Sequence, residues 1–195
     1  MLSVIIPTHN SERQLVPVLS ALVTGVTAGL IKEVVLVDNG STDDTAAIAD
    51  AAGCEFLGVV GDESLRLRQG AARSRGHWLL FLAPQSLLME GWTRDVGTFI
   101  DTVERRGAAD RRAATFRLAV EGYGFGPRFG EAMAATRMTL LGLPRPEQGL
   151  LLSRRHYDRL GGHPEGHKAH RRLLGRIGRR NLQPLRAQVL LPEKS

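Results

Sequence analysis

Apolar residues in the first half of the chain follow two alternating patterns. Short continuous apolar runs are typical of strands buried on both faces of a parallel sheet; they lie at residues 3–6, 33–38, 56–60 and 77–82. Longer segments between the runs carry apolar residues at helical spacing. These segments predict helices over 12–30, from the turn at 39–43 to about 52, over 64–75 and over 91–106.

The order strand-helix, repeated four times over residues 1–106, predicts an α/β fold with a mostly parallel central sheet. In such a sheet ligands bind beyond the carboxyl ends of the strands. The second half is less regular, with strands predicted at 115–120 and 149–152 and helices at 128–141, 154–160 and 168–179. No repeat or linker divides the chain, so we expect a single domain over 1–195.

Composition narrows the class of protein. The chain has 195 residues, 43% of them hydrophobic, which suits one globular domain with a packed core. Cys54 is the single cysteine, so an internal disulfide is excluded and a reducing compartment is expected. No apolar stretch approaches the length of a membrane span or a signal peptide, and we expect a cytoplasmic protein.

The net charge of +6 is concentrated in the last quarter of the chain. This basic segment is either a solvated helix face or a surface for anionic partners, including peripheral contact with a membrane. Aromatic residues are not interleaved with the cations, and we expect no nucleic-acid partner. A homodimer is left open. The cations are Arg154, Arg155, Arg159, Lys168, Arg171, Arg172, Arg176, Arg179, Arg180 and Arg186.

A series of segments, taken in order, resembles the family 2 glycosyltransferases of the GT-A fold. Later segments resemble a subgroup of small bacterial members. The segments are 3–10, 37–43, 69–76, 78–82, 140–144, 148–149 and 160–165. The resemblance implies a Rossmann-like nucleotide-diphospho-sugar transferase domain, with a nucleotide-binding half at 1–106 and an acceptor-side half at 107–195. It implies transfer of a sugar from a nucleotide diphosphate sugar to an unknown acceptor.

The resemblance also assigns substrate-binding residues at the ends of the first two strands. Pro7 is expected to end the first strand by removing a backbone donor, so that Thr8 and His9 line the nucleotide pocket. Asp38 is expected to accept hydrogen bonds from the base or ribose, with a turn or helix-cap acid as the alternative. Asn39 stands where many relatives carry a second aspartate.

Two arginines follow in the next helix. Arg66 and Arg68 are expected either to bind the diphosphate through charge-assisted hydrogen bonds or to be solvated helix residues. A glycine-rich loop at 121–127 precedes a predicted helix. The aromatic residues of this loop and of the start of that helix are Tyr123, Phe125 and Phe129. They either stack on a sugar or isoprenoid acceptor or pack beneath the loop.

The chain departs from the family at the metal-binding motif. The family places an aspartate directly after the strong fourth strand, where it holds a divalent ion, Mn²⁺ or Mg²⁺, that bridges the diphosphate. Gln85 occupies this position here. Its amide brings no charge, so no metal ligand is assigned and Gln85 is expected to contact substrate.

A second departure concerns the general base. The family follows a segment like 162–165 with a short loop ending in an acidic pair, but here about four residues, including that pair, are missing before Lys168. Glu147 and Glu165 are the nearest retained acids and the candidate catalytic residues, and Gln148 is a candidate substrate contact. A base must lie within hydrogen-bond reach of the proton that it takes.

Three interpretations of these departures stay open. The chain is a catalytically inactive domain that still binds a nucleotide or nucleotide sugar, with a regulatory or partner-binding role. Alternatively, it is a metal-independent transferase in which His167, His170 or nearby arginines stabilise the diphosphate. A third interpretation is a new metal site from His163, His167 and His170, against the plainer one of packing or solvated histidines.

Overall fold

The computed structural model describes residues 1–119 and 144–191. One eight-stranded sheet runs through these residues in the order β3-β2-β1-β4-β7-β6-β8-β5. The strands are β1 (Leu2–Thr8), β2 (Ile31–Asp38), β3 (Glu55–Gly58), β4 (Trp78–Phe81), β5 (Leu87–Leu88), β6 (Ala113–Leu118), β7 (Leu150–Ser153) and β8 (Leu182–Leu190).

The helices cover both faces of this sheet. They are α1 (Glu12–Thr27), α2 (Thr45–Ala51), α3 (Glu63–Arg73), α4 (Trp92–Arg105), α5 (Arg154–Arg159) and α6 (Ala169–Ile177), with 3-10 turns at Pro146–Gln148 and Arg179–Asn181. Successive side chains of a strand point to opposite faces. Val4 and Ile6 of β1 therefore join a core with α1 and α4, whereas Ile5 joins a second core with α3, α5 and α6.

The predicted α/β class and largely parallel sheet are confirmed. β1 pairs in parallel with β2 and β4, β2 pairs in parallel with β3, and β6 pairs in parallel with β8. Three pairs are antiparallel, namely β4 with β7, β6 with β7 and β5 with β8. The sheet is therefore mixed, and its antiparallel pairs all involve strands that follow β4.

Pro7 lies inside β1, and the prediction that it ends the strand is wrong. The Thr8 carbonyl accepts from Asn39 N on the β2 side, and the Ile5 carbonyl accepts from Leu82 N on the β4 side, both over 3.0 Å. Because alternate residues of a central parallel strand turn their backbone polar groups to opposite neighbours, the missing Pro7 donor faces the β4 side. The β1–β4 ladder ends at Ile5, so no donor is needed there.

The final strand was not predicted from the sequence. β8 is nine residues long and lies between β6 and β5, and Asp95 of α4 accepts a hydrogen bond from its Ala187 N over 2.6 Å. The first helix ends at Thr27 rather than residue 30. The loop at 121–127 with its aromatic residues and the predicted helix at 128–141 lie outside the described residues.

The basic last quarter is not a uniformly solvated face, because Arg154 is half-buried and bonded to the chain. Its guanidinium donates to the carbonyl oxygens of Gly76, Ala71 and Ser74 over 3.0, 2.8 and 2.7 Å, and to Ser74 Oγ over 2.8 Å. It thereby joins the start of α5 to the end of α3. Of the helices in the described segments, none is long and apolar enough to cross a membrane.

Candidate functional site

Two loops meet beyond the carboxyl ends of β1 and β2 and are bonded to each other. Asn10, with a φ of 48°, donates its backbone N–H to Ser41 Oγ over 2.8 Å. Its side-chain oxygen accepts from Thr42 N over 2.8 Å. Asparagine tolerates this left-handed conformation better than most residues. The strand ends are therefore held in a fixed relation without a ligand.

Asp38 is a buried and fully bonded acid at this junction. It is 3% exposed and accepts hydrogen bonds from Thr8 Oγ1 over 2.8 Å and from Ser41 N over 2.7 Å, and Ser41 Oγ donates to it as well. Burial raises the pKa of Asp38, but these hydrogen bonds outweigh it and the net pKa is lowered. The geometry is that of the turn acid, the alternative named above, because its oxygens already have donors.

Neighbouring polar groups are more accessible than Asp38. His9 is exposed, and Asn39 is partly exposed. The Asn39 side-chain oxygen accepts from Gly61 N over 2.9 Å, which ties the loop after β3 to the same edge. Its side-chain NH₂ has no hydrogen-bond partner among residues 1–119 and 144–191, so it is available as a donor.

The two arginines of α3 occupy different surroundings. Arg66 donates from Nη1 to the Thr8 carbonyl over 2.9 Å, and its buried Nε has no hydrogen-bond partner in the part of the chain that the structure describes. Arg68 donates to the His163 carbonyl over 3.3 Å and forms an ion pair with Glu165 at 3.4 Å. Neither is a freely solvated helix residue. Arg66 lies at the strand ends, whereas Arg68 holds the segment before α6.

A narrow cleft opens at the ends of β1 and β4, and we call it the strand-end cleft. Its volume is about 10 Å³, room for a single water molecule. Although much of Glu63 is exposed, burial raises the pKa of its carboxyl; Arg66 opposes this shift and Glu147 adds to it. The cleft is lined by Pro7, Glu63, Leu67, Phe81, Leu82, Ala83, Pro146 and His170.

Two histidines pack side by side behind this cleft. The rings of His163 and His170 stack at 5.7 Å, and His163 Nδ1 lies 2.9 Å from the Tyr157 hydroxyl. Burial lowers the pKa of His163 to about 3 and that of His170 to about 4, so both are neutral at pH 7. Both Nε2 atoms are buried, and neither has a hydrogen-bond partner within residues 1–119 and 144–191.

The three-histidine metal site is not formed. His163 precedes α6 and is fully buried, His170 lies in its first turn, and His167 is exposed. No group of three or more histidine, cysteine, aspartate or glutamate side chains within 1–119 and 144–191 is arranged to hold a metal ion. Packing is the role that the geometry gives His163 and His170.

The model of the family described as "Glycosyl transferase family 2" matches residues 3–117. These residues include most of β1, all of β2 to β4, and every residue that lines the cleft except Pro146 and His170. The chain belongs to glycosyl transferase family 2. Among curated proteins, none is significantly similar to it in sequence.

Solved structures with the same fold are glycosyltransferases of low sequence identity. S. aureus TarS, residues 1–349, superposes with a TM-score of 0.68 at 19% identity over 100% of this chain and 58% of that one. A complex of the same fragment with UDP-GlcNAc gives a TM-score of 0.71 at 18% identity, over 100% of this chain and 59% of that one. This chain therefore spans under two thirds of the TarS fragment.

A second relative is glucosyl-3-phosphoglycerate synthase from Mycobacterium tuberculosis, in complex with Mn²⁺, UDP and glucosyl-3-phosphoglycerate. It superposes with a TM-score of 0.66 at 21% identity, over 100% of this chain and 73% of that one. At these identities the likeness establishes the shared fold. It confirms that this glycosyl transferase family 2 chain has the GT-A architecture inferred from its motifs.

The resemblance to the family places the expected metal position in the loop after β4. Gln85 lies in that loop, half-buried, and its backbone carbonyl accepts from Leu87 N over 3.1 Å. The neutral amide of Gln85 is a poor substitute for a carboxylate, the ligand that Mg²⁺ and Mn²⁺ prefer. The residue at the expected position therefore does not fit the ion, and no catalytic step is derived through a metal there.

The candidate acids lie in separate places. Glu147 is in the 3-10 turn before β7, and its carbonyl accepts from Ser86 Oγ over 2.8 Å, which places it beside the loop of Gln85. The buried Glu147 Oε2 has no hydrogen-bond partner among the described residues. Glu165 lies in the segment before α6, with 85% of its side chain exposed. The structure does not bring the two acids together as a pair.

Gln148 has a structural role, and its predicted contact with substrate is not supported by the geometry. It is 6% exposed, its side-chain oxygen accepts from Arg145 N over 3.0 Å, and its side-chain nitrogen donates to the Phe116 carbonyl over 2.9 Å. Glu63, which lines the cleft, was not predicted as a site residue from the sequence. Its position in the first turn of a helix that follows a strand end was the available signal.

Proposed function

We propose that this chain binds a nucleotide diphosphate sugar along the polar edge beyond the carboxyl ends of β1, β2 and β4, onto which the narrow strand-end cleft opens, and transfers the sugar to an acceptor hydroxyl. One observation carries the proposal. The chain runs from β1 outward to β2 and β3 and then returns to β4 on the other side of β1, so the cleft lies at the topological switch point. Open α/β sheets bind ligands at that point, beyond the carboxyl ends of the strands.

The polar groups at the strand ends suit the parts of such a donor. The nucleoside fits against residues 7–9 and the free NH₂ of Asn39, while Arg66 is the cation nearest the strand ends for the diphosphate. Charge-assisted hydrogen bonds from arginine to phosphate are strong and directional. Relatives solved with UDP-GlcNAc and with UDP support a uridine nucleotide as the first ligand to test.

The proposed reaction forms a bond from the acceptor oxygen to the anomeric carbon and breaks the bond from that carbon to the diphosphate. The acceptor proton passes to a carboxylate, and the candidates are Glu147, which follows the cleft-lining Pro146, and Glu165, which is paired with Arg68. Arg66 would stabilise the negative charge on the departing nucleotide. Peripheral membrane contact, a homodimer and a cytoplasmic location stay predictions.

A second candidate function is a catalytically inactive domain that binds the same nucleotide. It is favoured by Gln85 at the metal position and by the pairing of Glu165 with Arg68. To reach the proton of an acceptor hydroxyl, Glu165 would first have to leave its ion pair with Arg68.

One experiment separates the two functions. The purified chain is titrated with UDP, UDP-glucose, UDP-GlcNAc and GDP-mannose, with and without Mn²⁺, by calorimetry, and donor hydrolysis is followed by release of the nucleotide. Arg66→Met should weaken nucleotide binding at least about tenfold through loss of a phosphate contact, whereas the exposed Arg155→Met should not. Binding with hydrolysis or transfer supports a transferase, binding without either supports the inactive domain, and no binding to any nucleotide overturns both.

A further inference from the structure

The last described part of the chain carries many cations and no acid. Residues 166–191 contain seven lysine or arginine residues and no aspartate or glutamate, and all seven cations are exposed. Protein surfaces usually intersperse both signs of charge, so a segment of this length with one sign is unusual. We call these side chains the basic surface. They are Lys168, Arg171, Arg172, Arg176, Arg179, Arg180 and Arg186.

The fold gathers these cations on one side of the sheet. α6 packs Leu173 and Ile177 into the second core, and the cations at positions 168, 171, 172 and 176 follow the spacing of its opposite, exposed face. In β8, Leu185 and Ala187 belong to the first core. Arg186 between them therefore points to the other face of the sheet, which is the face that α6 covers.

The charge of the basic surface is not neutralised by the protein itself. Arg172 donates to the Glu165 carbonyl, and Arg176 donates to the Leu160 carbonyl over 2.8 Å, but a carbonyl carries no net charge. The Glu165 carboxylate is paired with Arg68. Within the described segments no carboxylate forms an ion pair with Lys168, Arg171, Arg172, Arg176, Arg180 or Arg186. The positive charge is therefore left for a partner outside the chain.

The uncharged residues around the basic surface narrow the kind of partner. Tyr157 is the one aromatic residue in 144–191, and it is 4% exposed, so there is no platform on which unpaired bases could stack. The large hydrophobic side chains that are exposed in the described segments all lie at or before Met89. A partner that docks through apolar contact therefore has nothing to bind here, and the contact is electrostatic.

We propose that the basic surface binds the anionic headgroups of a membrane, with α6 lying along the membrane plane. Four to eight lysine or arginine residues on an amphipathic helix are the arrangement that binds anionic lipid, and each cation near the surface strengthens binding by about fivefold. The attraction acts over about a Debye length, so salt weakens it. None of the seven cations is assigned to the nucleotide, and the inference does not depend on the proposed function.

The test compares two triple variants that remove the same charge from different sides of the molecule. The first is Arg171→Gln, Arg180→Gln and Arg186→Gln together, which removes three cations of the basic surface. These side chains form no hydrogen bond within the described residues, so the fold should be kept.

The control variant combines Arg13→Gln, Lys32→Gln and Arg94→Gln. These residues are exposed and lie on α1, β2 and α4, outside the basic surface. Removal of three cations from a net charge of +6 leaves +3 in both variants. Far-UV circular dichroism and thermal unfolding show that each variant is folded.

Binding is measured by co-sedimentation with vesicles of phosphatidylcholine, alone or with about 30% phosphatidylglycerol. We expect wild-type chain to bind the anionic vesicles and not the neutral ones, and to lose at least about tenfold in affinity between about 50 and 500 mM NaCl. The basic-surface variant should bind the anionic vesicles at least about tenfold more weakly, whereas the control variant should stay within about threefold of wild-type chain.

Three outcomes would overturn the proposal. The first is wild-type chain that does not bind anionic vesicles at low salt. The second is equal weakening in the two triple variants, because net charge rather than this surface would then decide binding. The third is tighter binding to a DNA duplex than to anionic vesicles, lost in the basic-surface variant, which would make nucleic acid the partner.

Discussion

Arg68 of α3 and Glu165 of the segment before α6 are bonded to each other, with Nη2 and Oε1 3.4 Å apart. Each was expected to meet a substrate, one as a phosphate ligand and the other as a catalytic acid. Arg68 also donates to the His163 carbonyl, and Gly166 N donates to Asp62 over 3.3 Å. The shortened loop before α6 is thus fastened to the start of α3.

Glu165→Gln tests what this ion pair does. The pair is largely exposed on the Glu165 side, so we expect the free energy of unfolding to change by less than about 1 kcal/mol. If Glu165 takes the acceptor proton, transfer falls by about 10²-fold or more while nucleotide binding is kept. The transfer rate, UDP affinity and thermal unfolding of Glu165→Gln are compared with those of the control variant Glu90→Gln, at an exposed position outside the cleft lining. Unchanged transfer would exclude Glu165 as the base.

The buried histidine pair predicts acid sensitivity. The folded pKa values of His163 and His170, about 3 and 4, lie below the unfolded value of 6.5. Unfolding therefore takes up protons below pH 6.5, and stability falls as the pH drops from 6.5 towards 4. The expected loss is about 1.4 kcal/mol per histidine for each pH unit.

Urea unfolding at pH 7.0, 6.0 and 5.0 checks this dependence on pH. The slope of stability against pH should decrease in His170→Leu, which removes one buried titrating group. It should be unchanged in His167→Gln, because His167 is exposed. A wild-type stability that is flat between pH 7 and 5 would contradict the burial of these rings as neutral groups.

We expect substitution of Arg154, a residue far from the strand-end cleft, to cause a large loss of stability. Arg154→Ala removes a guanidinium that donates four hydrogen bonds, and the carbonyl oxygens of Gly76 and Ser74 lose the donors that it supplies. We expect a loss of about 2–4 kcal/mol. The neighbouring Arg155→Ala, at an exposed position, should change stability by less than about 0.5 kcal/mol. Equal melting temperatures of the two variants would show that the Arg154 bonds do not stabilise the fold.

Two glycines in helix interiors predict opposite effects of the same substitution. At Gly70 of α3 a Cβ would lie 2.5 Å from Ile5 Cγ2 and 2.8 Å from Val37 Cγ2, both in the core. Gly70→Ala should cost about 1–3 kcal/mol by overpacking. At Gly97 of α4 nothing lies within 4 Å, and Gly97→Ala should add up to about 1 kcal/mol through helix propensity. Chemical denaturation of both variants checks that Gly70→Ala lowers the free energy of unfolding and that Gly97→Ala raises it.

Local sequence patterns predicted the elements from β1 to α4 because each is defined by neighbours in the chain. Continuous apolar runs marked β1, β2 and β4, and helical spacing marked α1 and α4. The sequence also carries an alternating apolar pattern for β8, but it was not recognised as a strand. Leu185, Ala187 and Val189 are buried at alternate positions, a period of two that Pro184 and the surrounding arginines obscured.

The candidate site could not be predicted from the sequence where it depends on contacts between residues that are far apart in the chain. Arg154 bonds residues 78–83 positions away, and Arg68 meets Glu165 at a separation of 97. No local sequence pattern predicts the burial of His163 and His170, because histidine occurs both in protein interiors and at the surface. Glu63 acquires its electrostatic role only when the 3-10 turn carrying Glu147 is brought to the same cleft.

The position of β8 has a consequence for how the chain reaches its native state. β6 is paired on one side by β8, and β5 pairs within the described sheet with β8 alone. A nascent chain that has not yet exposed residues 182–190 therefore presents an unpaired β6 edge and an unanchored β5. Addition of the last two strands, β8 and β5, is delayed until that segment leaves the ribosome, and until then the exposed β6 edge is a template for pairing with other chains.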